Sequence, residues 1–209
     1  MKQSSSSIKN EKLTRIANHL IINASFMNDL GLYHGKMGIV LFFAHYARYT
    51  GEAMYDDFAG ELLDEVYEEI HTDLPINFEY GLCGMGWGIE YLFQNRFIEG
   101  NSNDVLEDVD KKIMERDVLR ITDKSFETGL AGISLYVKTR IKGRNLMDIT
   151  FDNAYLENMR LVESQIKKTI PKDVLSEILK DSPDSDDIHK MKLELNKGCS
   201  GMGLKTVLQ

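Results

Sequence analysis

Residues 81–89 read GLCGMGWGI and residues 31–39 read GLYHGKMGI, so that two glycines, a leucine and an isoleucine fall at matching positions. Residues 129–135 read GLAGISL and keep the opening Gly-Leu and the glycine three positions later. Residues 198–204 read GCSGMGL and share Gly-Met-Gly with the segment at 81–89. The four related segments begin at residues 31, 81, 129 and 198. Their recurrence indicates an internal repeat in which a glycine-rich turn is the recurring element.

Each of the first three glycine segments leads into an apolar run of helical length, at residues 39–49, 89–97 and 135–141. Runs that are apolar on most sides are typical of buried helices. Between them, apolar residues recur every three or four positions with charges opposite, which predicts surface helices. The recurring sets are Leu13, Ile16, Leu20 and Asn23; Met54, Phe58, Leu62, Val66 and Ile70; Leu106, Val109 and Ile113; and Tyr155, Met159, Val162, Ile166 and Ile170. The sequence therefore predicts an all-α chain of outer helix, glycine turn and inner helix.

Glycines at the start of a helix need a physical reason, because glycine loses more backbone entropy on folding than other residues. Two reasons fit: a positive φ at the turn, or close approach of helix ends where a side chain would collide. Helix N-termini also carry N–H groups and partial positive charge, which suits anionic or peptide-carbonyl ligands. The alternative is that the glycines serve packing only.

Composition restricts the classes of protein that this chain can belong to. The 209 residues fit one domain over residues 1–209, and 43% hydrophobic residues exclude a disordered chain. A net charge of −8 argues against a nucleic-acid partner, and we assign the acidic residues to solvated outer faces. The N-terminus lacks the apolar segment of a secretory signal, and the longest apolar stretch, residues 39–44, is too short to span a membrane. We expect a soluble, cytoplasmic protein in which Cys83 and Cys199 are free thiols.

The segments at residues 31–39 and 81–89 resemble the repeat of the lanthionine synthetase C-like (LanC-like) proteins, and the resemblance extends from about residue 10 to residue 209. It implies an α/α toroid of helical hairpins whose inner helices begin with glycine-rich turns. The family ring is usually built from about twice this length, and the chain supplies three hairpins and the start of a fourth inner helix. We therefore expect an incomplete ring, whose exposed flanks favour association with a second copy.

The resemblance also implies chemistry. Family cyclases add a peptide cysteine thiol to a dehydroalanine or dehydrobutyrine, and a zinc ion held by two cysteines and a histidine activates that thiol. Carried over, the zinc ligands are His34, Cys83 and Cys199. The family order Cys-His-Gly is not intact, because Tyr33 precedes His34 and Gly84 follows Cys83. The implied role is modification of ribosomal peptides, as in lantibiotic biosynthesis, with zinc as cofactor, a peptide or partner protein as ligand, and enzymatic activity left open.

Two other functions remain open. The first is a non-catalytic toroid that binds a peptide or serves as a scaffold without the metal. The second is a carbohydrate-active toroid resembling six-hairpin glycosidases, in which Glu79 and Glu127 form the carboxylate pair and Trp87 stacks on a sugar. Helix-dipole complementation and core packing explain the same residues without a sugar. The predicted cavity lining is Tyr33, His34, Cys83, Trp87, Glu79 and Glu127.

The remaining candidate residues are histidines. A Cys83–His34 pair would form a nucleophile–base dyad if the two turns are neighbours. His19 and His45 fall within helices, where packing is the simpler role. His189 lies in a polar loop at residues 181–190, from which it could approach Cys199.

Overall fold

The computed structural model describes residues 5–142, 144, 148–185 and 187–209. Helices make up 63% of it, with no strand in the described ranges, which confirms the predicted all-α class. Residues 1–4 lie outside these ranges. They belong to the N-terminal stretch for which no secretory signal is expected. The α-helices are α1 (Ser5–Asn23), α2 (Lys36–Thr50), α3 (Ala53–Glu69), α4 (Leu82–Gln94), α5 (Asn103–Met114), α6 (Leu130–Ile141), α7 (Asn153–Ile166), α8 (Val174–Ile178) and α9 (Cys199–Val207). None of these helices is long and apolar enough to cross a membrane.

The described chain divides into two compact units. The first runs up to Glu68 and includes Val174–Gln209, and the second is Glu69–Asp173. In the first unit both α1 and α2 pack against α9. In the second unit α4 packs against α6, while α5 covers α4 and α7 covers α6. The single domain over residues 1–209 stays a prediction.

Most of the predicted outer-helix stripes form the core. In α1, α5 and α7 the apolar residues of the stripes within helix bounds are buried. The stripe predicted for α3 is wrong at its ends, because Met54 is 57% exposed and Ile70 lies beyond the helix. The buried positions there are Tyr55, Ala59, Leu62, Leu63 and Val66. A strict four-residue step exceeds the 3.6-residue turn, so such a stripe drifts around the helix away from the core.

The four inner helices begin directly after a glycine N-cap. The caps are Gly35, Gly81, Gly129 and Gly198. Gly35 therefore occupies the position in the first turn that Gly81 occupies in the second. The sequence match of residues 31–39 with 81–89, which pairs Gly31 with Gly81, is four residues out of register with the structure. In the structural register each turn reads Gly-x-x-Gly followed by Ile or Met. The second glycine of each motif already lies inside the helix.

Close approach, not positive φ, explains the cap glycines. Their φ angles lie between −120° and −115°, which is ordinary extended backbone. A Cβ on Gly81 would overlap the carbonyl oxygen of Pro75, and one on Gly198 would overlap that of Glu194. The expectation of positive φ is thus wrong at the caps, because the loop before each helix folds back onto the helix N-terminus.

Candidate functional site at the glycine turns

The first N–H group of every inner helix is already hydrogen-bonded. Each donates to the carbonyl oxygen seven residues earlier in the chain, at 2.7–2.9 Å. The four bonds run from Lys36 to Asp29, Leu82 to Pro75, Leu130 to Asp123 and Cys199 to Lys192. Because the preceding loop uses these donors, they are not open to an anionic or peptide-carbonyl ligand. The expectation that they bind such a ligand is wrong for these four groups.

A second backbone motif joins two glycine turns within each unit. In each unit, the residue two positions before one cap glycine accepts through its backbone carbonyl oxygen. The donors are two consecutive backbone N–H groups that precede the cap glycine of the other turn. In the first unit Leu195 and Asn196 donate to Tyr33, at 3.0 Å each. In the second unit Phe78 and Glu79 donate to Glu127, at 2.9 and 3.0 Å. The turns that carry Glu79 and Glu127 are therefore neighbours.

His34 is paired with a carboxylate that sequence analysis missed. Its Nδ1 lies 3.0 Å from Oε2 of Glu194, which precedes the Gly198 cap by four residues. His34 is 20% exposed and stands directly before Gly35. Lys192 adds an ion pair to the same carboxylate, at 3.4 Å. A carboxylate at Nδ1 orients an imidazole ring, as is common for histidines that bind metals or transfer protons.

Both cysteines lie inside helices and are fully buried as free thiols. Cys83 is the second residue of α4, and burial followed by the charge of Asp110 raises the pKa of its thiol. Cys199 is the first residue of α9, and burial raises the pKa of its thiol to about 12. Burial therefore favours the protonated form of both thiols, and a protonated thiol is a poor nucleophile.

The predicted zinc ligands are divided between the two units. His34 and Cys199 belong to the first unit and Cys83 to the second. Among the described residues, no group of three or more His, Cys, Asp or Glu side chains could hold a metal ion. A zinc cofactor stays a prediction.

The structural register shows where each predicted ligand falls within its glycine turn. The two residues before each cap glycine are Tyr33-His34, Glu79-Tyr80, Glu127-Thr128 and Asn196-Lys197. His34-Gly35 keeps the His-Gly order of the family sequence Cys-His-Gly, but none of the four pairs is Cys-His. The two cysteines instead follow their cap glycines, on the helical side of the turn.

The six residues predicted to line a cavity differ in exposure. Tyr33, Cys83 and Trp87 are buried, whereas the other three, His34, Glu79 and Glu127, are half-buried. The ring of Trp87 packs against Phe78 and Tyr91, with centroids 5.9 and 5.2 Å away. These contacts match the core-packing alternative for Trp87.

A buried ionic cluster in the second unit was not predicted. Arg140 of α6 contacts Asp110 of α5 at 2.5 Å and Glu90 of α4 at 2.8 Å. Tyr136 donates from its hydroxyl to Asp110, and Arg144 forms a further ion pair with Glu90. Charged residues within the otherwise apolar inner helices were the available signal. Because the cluster pairs its charges internally, loss of one partner would leave a buried charge uncompensated between the three helices.

A comparison with family models gives one match, described as lanthionine synthetase C-like protein, over residues 27–186. No curated protein matches the chain, and no solved structure does. The matched residues cover more than half of the chain and include three of the four glycine turns. The chain belongs to the lanthionine synthetase C-like family.

Proposed function

We propose that this chain binds a peptide during the modification of ribosomally made peptides, and that it does so without thiol activation at Cys83 and Cys199. One observation carries the proposal: solvent reaches the residue before every cap glycine but neither thiol. Tyr80 is 45% exposed and the side chain of Lys197 is 50% exposed, whereas both cysteines are fully buried.

The exposed positions offer the groups that a peptide needs. His34 and Lys197 in the first unit, and Tyr80 and Thr128 in the second, place polar side chains at the turns. His34, Lys197 and Thr128 also contact Glu194, Asp181 and Asp123 within the chain, and a peptide would share or replace these contacts. Tyr80 adds an aromatic surface that is suited to peptide side chains. The carbohydrate-active alternative is less well supported, because Trp87 packs among other aromatic rings.

A labelled synthetic peptide with one cysteine and one dehydroalanine tests the proposal. Thiol addition joins sulfur to the β-carbon and delivers the proton to the α-carbon, so the mass is unchanged and free thiols must be counted with a maleimide. We expect saturable binding by fluorescence anisotropy and an unchanged thiol count, with or without zinc. His34→Ala and Tyr80→Ala should weaken binding severalfold, whereas Cys83→Ala and Cys199→Ala should not.

Two results would contradict the proposal. Zinc-dependent loss of peptide thiol, abolished in Cys83→Ala, would establish a cyclase instead. Absence of saturable binding would remove the peptide role. Association with a second copy of the chain stays a separate prediction, and light scattering that finds only monomer at micromolar concentration would overturn it.

A further inference from the structure

Two histidines that are far apart in sequence meet in the first unit. His19 of α1 and His189 of the short 3-10 turn Ile188–Lys190 have ring centroids 5.4 Å apart, with the two ring planes at 86° to each other. His19 is half-buried and His189 is exposed, so that a small ion in solvent has access to the pair. Their contact is tertiary and follows from the packing of α1 against this turn.

Neighbouring groups position both histidines. The amide nitrogen of Asn23 lies 3.3 Å from Nδ1 of His19 and donates to the His19 carbonyl oxygen at 2.7 Å. The carboxylate of Asp187 accepts from the backbone N–H of His189 at 3.2 Å. The backbone that carries each ring is thereby anchored before any ligand arrives.

The spacing of the two rings suits a shared metal ion. Two imidazoles that share one ion at metal–nitrogen distances of about 2.0–2.1 Å have ring centroids roughly 5 Å apart. The observed 5.4 Å is close to that spacing.

We propose that His19 and His189 bind one divalent transition-metal ion of the type that imidazole prefers, such as Zn²⁺, Ni²⁺ or Cu²⁺, with water completing its coordination. This two-residue site is separate from the His34, Cys83 and Cys199 set and does not depend on the proposed peptide function. The ion would link α1 to the segment that leads into α9, and would thereby stabilise the first unit against unfolding.

Calorimetric titration of the full chain with Zn²⁺ alone tests the site. We expect one ion per chain, a raised Tm, and loss of at least tenfold in affinity in both His19→Ala and His189→Ala. His71→Ala, which removes an exposed histidine of the second unit, should bind zinc like the unmodified chain. Because His189 is exposed, His189→Ala tests the site even if His19→Ala fails to fold.

Cobalt substitution distinguishes this site from a cysteine site. Co²⁺ bound by imidazole and water lacks the intense near-ultraviolet sulfur-to-metal band that thiolate ligation produces. Such a band, lost in Cys83→Ala or Cys199→Ala, would place the ion at the cysteines and overturn the proposal. Zinc affinity that is unchanged in His189→Ala, or no zinc binding by the unmodified chain, would also overturn it.

Discussion

Gly86 of α4 lies against Tyr136 of α6 so closely that a Cβ on the glycine would stand 2.5 Å from Cε2 of the tyrosine ring. Gly203 of α9 has the same relationship to Phe42 of α2, also at 2.5 Å. Both glycines stand five positions beyond their cap glycine, and both aromatic residues stand seven positions beyond theirs. The repeat therefore governs how inner helices pack in each unit, as well as how they begin.

Replacing Gly86 with alanine should destabilise the chain by about 1–3 kcal/mol, because the added methyl group overpacks the contact between α4 and α6. Tyr136 cannot easily move away, since it is fully buried and its hydroxyl donates to Asp110 at 2.5 Å. The control is Gly60→Ala in α3, where nothing lies within 4 Å and alanine should stabilise the helix by about 0.5–1 kcal/mol. Urea denaturation measures both changes, and an unchanged midpoint in Gly86→Ala would contradict the packing argument.

The sequence predicted the helical class and the location of the turns, because glycine spacing and apolar periodicity are local properties. It did not predict the register of the first turn. Gly31 and Gly35 both stand before α2, and only the hydrogen bond from Lys36 to Asp29 shows which of them caps the helix. Matching letters favoured Gly31, whereas backbone geometry selects Gly35.

The contacts at the candidate sites depend on tertiary packing and were less predictable. The His34–Glu194 pair joins residues 160 positions apart, and nothing in the local pattern around Glu194 indicates a histidine partner. The thiols were expected at the turns, but in the structural register they fall inside helices and become buried. At each of these turns, a side chain that solvent reaches and a side chain buried in the core are only a few residues apart in the sequence, so a small error in register exchanges the two.

Arg140 is expected to be the costliest single charge to remove. Arg140→Met leaves Asp110 and Glu90 buried without their main partner, and should lower the free energy of unfolding by about 3–5 kcal/mol. Arg160→Met is the matched control, because it breaks the exposed pair with Glu157 and should cost at most about 1 kcal/mol. Equal urea midpoints for the two variants would show that the buried cluster is not a structural element.

Thiol reagents should react slowly with the native chain. Burial raises the pKa of the Cys83 and Cys199 thiols, so little thiolate is available and the reagent has no direct access to it. We expect Ellman's reagent to label both cysteines of the chain rapidly in denaturant but only at the rate of unfolding in buffer. Rapid labelling of either thiol in buffer would show that the glycine turns open and would revive a chemical role for the cysteines.

His45 of α2 should make stability depend on pH in mildly acidic solution. Burial, followed by the charge of Arg48, lowers the pKa of His45 from 6.5 to about 4. The unfolded chain therefore takes up a proton at higher pH than the folded chain, and stability falls as the pH drops from 6.5 to about 4.

His45→Gln removes this titration, so urea denaturation across the same window should show a smaller loss of stability than in the unmodified chain. His71→Gln controls for loss of a histidine, because His71 is exposed beyond the end of α3. Parallel pH profiles for the unmodified chain and His45→Gln would mean that His45 is as easily protonated in the folded chain as in the unfolded one.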